Sequence, residues 1–149
     1  MTRLSSLLAV AGCLLLASCG SSGPPRVERL STVAVSGVLT FNGTPLESHR
    51  VTFYPIGGDR PANGVTDAAG KFTLGTNEPG DGCPVGKYKV SISFSPTVQA
   101  DYSTDGGIED PAKMPKPKVK IPVKYADPET SGVTQEITGS VSDLKIDLQ

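Results

Sequence analysis

Tryptophan is missing from this 149-residue chain, histidine occurs once, and phenylalanine and tyrosine occur four times each. A core must then be built mainly from valine, leucine and isoleucine. A catalytic zinc takes three protein ligands from His, Glu, Asp or Cys. His49 has only Glu47 near it in sequence, and beside Arg50 at the start of a strand it reads as a surface side chain. No apolar run approaches the roughly 20 residues that a membrane-crossing helix needs. Charges nearly cancel, with 14 Lys plus Arg against 15 Asp plus Glu. That balance gives no clustered basic face, so nucleic acid is not an expected partner. No Gly-x-Ser-x-Gly turn is present to raise a nucleophile. No glycine-rich phosphate loop precedes a helix. Neither a metal site nor a cofactor site is read from the residues.

What the chain does have begins at its start. Arg3 is followed by an apolar run from Leu7 to Leu16 and then by Leu16-Ala17-Ser18-Cys19. A positive segment, an apolar segment of about ten residues and small residues before a cut, in that order, describe a secretory signal. With a cysteine directly after the small pair, the ending resembles the lipobox of bacterial lipoproteins. That resemblance implies diacylglyceryl transfer to the Cys19 thiol, cleavage between Ser18 and Cys19, and acylation of the new amino group. Two alternatives remain open. Val10-Ala11-Gly12-Cys13 also fits the box, and a cut at Ala17 would release a soluble product. Gly20 stands where an aspartate retains such proteins in the inner membrane, so the resemblance favours the outer membrane. The expected location is extracytoplasmic, lipid-anchored, facing periplasm or surface.

Removing residues 1–18 leaves one domain's worth of chain with a net charge near −2. Cys13 leaves with the signal and Cys19 carries lipid. Cys83 then stands alone, and no intramolecular disulfide is expected. It lies in the turn-like Asp81-Gly82-Cys83-Pro84 with no evident base to activate its thiol. Residues 19–32 open with Gly20-Ser21-Ser22-Gly23-Pro24-Pro25 and read as a tether too poor in apolar residues to fold. Lys113, Lys116, Lys118, Lys120 and Lys124 make a local basic stretch, read as a solvated strand edge or loop; contact with anionic lipid is the sharper alternative.

From Val33 onward, short β-branched runs alternate with Gly, Pro, Asn and Asp, which predicts an all-β domain over residues 33–149. Strands are expected near 33–41, 50–55, 62–66, 71–76, 87–95, 119–125, 132–138 and 140–148. Tyr88, Val90, Ile92 and Phe94 alternate with polar residues and predict one buried face. Asn42-Gly43 accepts the positive φ of a tight hairpin. Asp67-Ala68-Ala69-Gly70 predicts another turn. Pro122 confines the 119–125 segment to an edge or a bulge. Residues 97–117 contain no good strand and read as an exposed excursion. Its Asp101, Asp105, Glu109 and Asp110 offer oxygen ligands for calcium, but their spacing does not match a 12-residue EF-hand loop.

Taken in order, Val35-x-Gly37-x-Leu39, Asn42-Gly43-x-Pro45-Leu46, Val51-x-Phe53, Gly64-x-Thr66-Asp67-x-x-Gly70-x-Phe72-x-Leu74 and Gly86-x-Tyr88-x-Val90-x-Ile92 resemble the carboxypeptidase regulatory-like domain. The resemblance implies a single seven-stranded, Greek-key-like, transthyretin-like β-sandwich. It also implies that Tyr88 is a corner residue, its ring buried and its hydroxyl tying down a loop. Transthyretin-like enzymes that hydrolyse a urate derivative use several histidines, an arginine and a Tyr-Arg-Gly-Ser ending, whereas this chain ends Ile146-Asp147-Leu148-Gln149. The peptidase activity of carboxypeptidases lies in a separate zinc domain. A non-enzymatic module is therefore expected, meeting the membrane through its N-terminal lipid and an envelope protein or polysaccharide through its loops or a sheet edge. The alternative is a carbohydrate or small-molecule binder using Tyr54, Tyr102 or Tyr125 as its aromatic platform.

Overall fold

A computed structural model describes residues 28–58, 60–96 and 115–149. The expected signal, Cys19, most of the expected tether, Tyr102, Lys113 and the acidic residues Asp101, Asp105, Glu109 and Asp110 lie outside the described residues.

Among the described residues, eight strands form two four-stranded sheets. They are β1 (Val35–Phe41), β2 (Thr44–Pro45), β3 (His49–Pro55), β4 (Ala62–Val65), β5 (Lys71–Thr73), β6 (Gly86–Phe94), β7 (Thr134–Ile137) and β8 (Val141–Leu148). In the first sheet β1 is the hub. It pairs antiparallel with β2 and β5 on one edge and parallel with β8 on the other. The second sheet runs β4-β3-β6-β7, antiparallel throughout. Alternation explains why these segments are strands with one inward face. Val35 and Leu39 from β1, Val51 and Phe53 from β3, Val90 and Ile92 from β6, and Ile146 and Leu148 from β8 are all buried in one cluster. The two sheets thus share a single aliphatic core, with the Phe53 and Tyr88 rings 5.6 Å apart inside it.

The turns fall where the sequence requires them. Asn42 and Gly43 both take positive φ, 49° and 76°, and close the β1–β2 hairpin. The two-residue β2 is the return arm of that hairpin; it is not among the expected strands, and with it the described residues hold eight strands where the resemblance implied seven. Asp67 Oδ1 accepts from the backbone N–H groups of Ala69 and Lys71, and so fixes the turn into β5. Beyond β5 the chain leaves the first sheet. Gly75 exchanges two backbone bonds with Asn63 of β4 and covers the edge of the second sheet.

Residues 119–125 depart from expectation. They form no strand; Val123–Ala126 is a single 3-10 turn. Pro122 has no N–H to give a ladder, and Tyr125 turns inward, its hydroxyl donating to the Gln149 backbone oxygen. Lys124 lies over the Tyr125 ring, 4.7 Å from its centre.

β1 and β8 approach each other closely at Gly37. A Cβ there would sit 2.2 Å from the Leu144 carbonyl oxygen, and one extra β8 residue bulges between the Val35 and Gly37 positions. Gly37→Ala is therefore expected to lower stability by about 2 kcal/mol or more, as overpacking does. Urea unfolding checks this: the midpoint should drop with the slope unchanged.

Candidate functional site

Among the described residues a cleft of about 660 Å³ opens at the end of the fold where the N-terminal segment joins it. Three pieces build it: residues 28–30, the β3–β4 loop from Ile56, and the Pro84–Gly86 turn that leads into β6. Its lining is mixed. Leu30, Ile56 and Val85 are exposed apolar residues, while Glu28, Arg60 and Lys87 supply charge. The Tyr88 hydroxyl donates to the Pro84 carbonyl at 2.6 Å, so the corner holds the Pro84–Gly86 turn against β6. Desolvation pushes the Tyr88 phenol well above its ordinary value, the neighbouring Cys83 adding to the shift. A committed, hard-to-ionise phenol is no general base at neutral pH. The cleft can hold an apolar group by contact, but its lining pairs no nucleophile with a base.

One side of the cleft is fastened by an amide clamp. The Asn77 side chain accepts from the Leu30 N–H at 2.9 Å and donates to the Leu30 carbonyl at 3.0 Å, as a neighbouring strand would. Its oxygen also accepts from Arg60, whose guanidinium in turn donates to the Glu28 carbonyl. Asp81 sets the clamp. Its carboxylate accepts from the Thr76 N–H, the Asn77 N–H and the Asn77 amide. Desolvation acts to raise the Asp81 pKa, but these bonds and the nearby Arg29 outweigh it and hold the carboxyl below its ordinary range. Three residues on, Val33 and Cys83 exchange a pair of backbone bonds. The N-terminal segment is thus docked on the domain from Leu30 onward.

The opposite end of β3 carries the other unusual feature, which corrects the surface reading of His49. Its side chain is 1% exposed, in phase with Val51 and Phe53, and edge-on to the Phe94 ring. Nδ1 lies 2.8 Å from the Glu47 carbonyl. A carbonyl only accepts, so Nδ1 carries the proton and Nε2 presents a bare lone pair. Nε2 is the one buried side-chain nitrogen or oxygen without a partner among the described residues. A small pocket of about 200 Å³ over this ring is bordered by Val119 and by Lys118, which pairs with Glu47 across it. Burial lowers the His49 pKa, against a smaller upward pull from the Glu47 bond.

Other candidates fall apart. Tyr125 is buried, which removes it as a binding platform, while Tyr54 is 40% exposed. Cys83 is fully buried, and burial raises its thiol pKa against a weaker pull from Tyr88. Lys116, Lys118, Lys120 and Lys124 are exposed, with Lys118 held by Glu47 and Lys124 by the Tyr125 ring. Among the described residues no group of three His, Cys, Asp or Glu could hold a metal, and no helix is long and apolar enough to cross a membrane. No protein family, curated protein or solved structure matches the chain. The Asn77 clamp and the cleft were missed in the sequence because they join segments far apart in the chain. His49 was legible, since extending the β3 alternation back by one residue places it inward.

Two measurements follow from this geometry. His49 is held below its unfolded value near 6.5, so the unfolded chain takes up a proton first as pH falls through that value. Stability should be full above about pH 6.5 and decline below it, with a slope of at most about 1.4 kcal/mol per pH unit for one proton. His49→Met should flatten that part of the curve; thermal melts from pH 7.5 to 5 check it. Asp81 and Asp147 have lowered values too, so their losses come lower, from below their ordinary range near 3.8. For the thiol, iodoacetamide should leave Cys83 unmodified in the folded protein and alkylate it in urea, read by peptide mass.

Proposed function

We propose that this chain is a lipid-anchored, extracytoplasmic, non-catalytic module of the bacterial envelope, built on a carboxypeptidase regulatory-like, transthyretin-like sandwich. Cys19 takes the lipid, residues 19–32 link it to the domain, and the domain offers loops or a sheet edge to an envelope protein or polysaccharide. One observation carries the reading: Arg3, the Leu7–Leu16 apolar run and Leu16-Ala17-Ser18-Cys19 stand in the order that export and acylation require. The docked Leu30 and Val33 support it, because a module pulled by one end needs that end fastened. Two or three acyl chains on one residue would make the attachment stable, where one would be marginal.

Support for the family reading comes from the motif positions. Gly37 lies at the close β1–β8 contact, Asn42-Gly43 at the hairpin, and Tyr88 at a hydroxyl-tied corner. Such a resemblance speaks to fold rather than to activity, since one fold hosts many functions.

The anchor is tested in cells. Labelled palmitate should appear on the wild-type chain, globomycin should leave a longer precursor, and Cys19→Ala should abolish the label. Label persisting in Cys19→Ala would move acylation to another residue, and a wild-type chain without label would defeat the reading.

A further inference from the structure

The cleft at the tether end is not a neutral surface. Of the large apolar side chains left exposed among the described residues, Leu30, Ile56 and Val85 meet around it, at 38%, 58% and 59% exposure. They come from three separate pieces of chain, so no single amphipathic strand accounts for their convergence. Each piece is stiffened. Leu30 is clamped by Asn77, Val85 follows the carbonyl that Tyr88 holds, and the Ile56 N–H donates to the Lys87 carbonyl at 2.8 Å. An apolar tip of this kind keeps its shape without burying itself.

Chain length says what covers it. Cys19 precedes Glu28 by nine residues. Fully extended, that stretch reaches about 30 Å, and as a flexible chain its root-mean-square span is roughly 17 Å. Glu28 itself lines the cleft. With Cys19 in a bilayer, this tip is the part of the domain held against the lipid surface, at an effective concentration far above that of any free partner. The far end of β3, with His49, stands roughly 20 Å further out along the strand. Charge does not decide the contact. Glu28, Glu78 and Glu136 offset Arg29, Arg60 and Lys87 at this end, Arg29 being paired with Glu78 and Lys87 with Glu136.

We propose that Leu30, Ile56 and Val85 form a seat that rests on the lipid bilayer, fixing the orientation of the anchored domain so that its His49 end faces away from the membrane. This rests on Cys19 being acylated. The seat is driven by apolar contact at the headgroup boundary, and it needs little affinity of its own because the tether confines it.

The test uses the full processed chain, purified from membranes and placed in vesicles of phosphatidylethanolamine and phosphatidylglycerol carrying nitroxide-labelled lipid. A fluorophore is attached at the cleft at exposed Lys87→Cys, which leaves Leu30, Ile56 and Val85 in place, or, at the far end, at exposed Thr44→Cys, the buried Cys83 staying unlabelled. Quenching should be about threefold stronger at position 87 than at 44, and unchanged in high salt. Adding Leu30→Ser and Val85→Ser should bring the two positions close to equal while leaving the melting temperature within a few degrees. Equal quenching at both ends in the unaltered background, loss of the difference in high salt, or a difference that survives both serine substitutions overturns the seat. The mass of the N-terminal peptide from the same sample separates the two failures. Acylated protein with no preferential quenching ends the seat alone, and unacylated protein ends the anchor and the seat together.

Discussion

Ser36 and Ser142 are 106 positions apart in the chain, yet a hydrogen bond joins them across the parallel pair of β1 and β8. That pairing is what the fold rests on. β1 takes β5 and β2 on its other edge, so every strand of the first sheet touches it. Joining strands so distant closes a very long loop before any contact rewards it, and such closures are slow. The pair is correspondingly reinforced. Asp147 of β8 accepts from the Thr40 hydroxyl at 2.6 Å and from the Gly43 N–H, locking the strand onto the hairpin turn. The Thr40 bond foremost, with that from Gly43, keeps the carboxyl ionised below its usual range, against slight desolvation. Gly37 permits the approach that the ladder needs. Side-chain size at one position and charge at another thus serve the same contact.

Polar groups are handled differently at the two ends of the sandwich. At the tether end Asn77 and Asp81 build a network in which the amide bonds on both its atoms and the carboxylate accepts repeatedly. Satisfied networks of this kind hold a single geometry. At the other end the His49 ring lies inside with one nitrogen bare. An unmet buried acceptor costs on the order of 1–3 kcal/mol, and a charged imidazole would cost more. The ring therefore stays neutral, and its environment tolerates it by giving Nδ1 the Glu47 carbonyl and packing Phe94 against its edge. One end is rigid through completed bonds, while the other carries a stored deficit.

The legible parts of the sequence were those set by neighbours in the chain. Period-two alternation marked β1, β3, β6 and β8, and Asn42-Gly43 marked its hairpin, because strand faces and tight turns are decided within a few residues. The Tyr88 corner, implied by resemblance, is four residues from the carbonyl it holds. Segment 119–125 misled because β-branched residues and lysines alternate there, while the deciding interaction, Tyr125 with Gln149, lies 24 positions away. The parallel order of β1 and β8, the Asn77 clamp and the cleft are long-range facts that local patterning does not encode. His49 was misread for a different reason. Polarity argued for the surface, and the alternation that includes Val51 and Phe53 overrode it.

Direction is what the fold supplies to the proposed anchor. The chain is fastened at Leu30 and Val33, beside the end of β3. Pro96 and Pro115, which flank the segment 97–114, sit together with Phe94 by the start of β3. The described chain thus breaks off at Pro96 and resumes at Pro115 at the end away from Leu30. A sheet is stiff along its strands, so seven residues of β3 with the full β6 ladder beside it keep these two ends apart. Were Leu30 and the Pro96–Pro115 pair at one end, a short linker to a membrane would press both toward the lipid. With them at opposite ends, the proposed anchor would hold one end at the membrane and leave the other facing outward. The proposed role as a spacer asks of the fold only that these two ends be held apart, and the β3–β6 ladder does that.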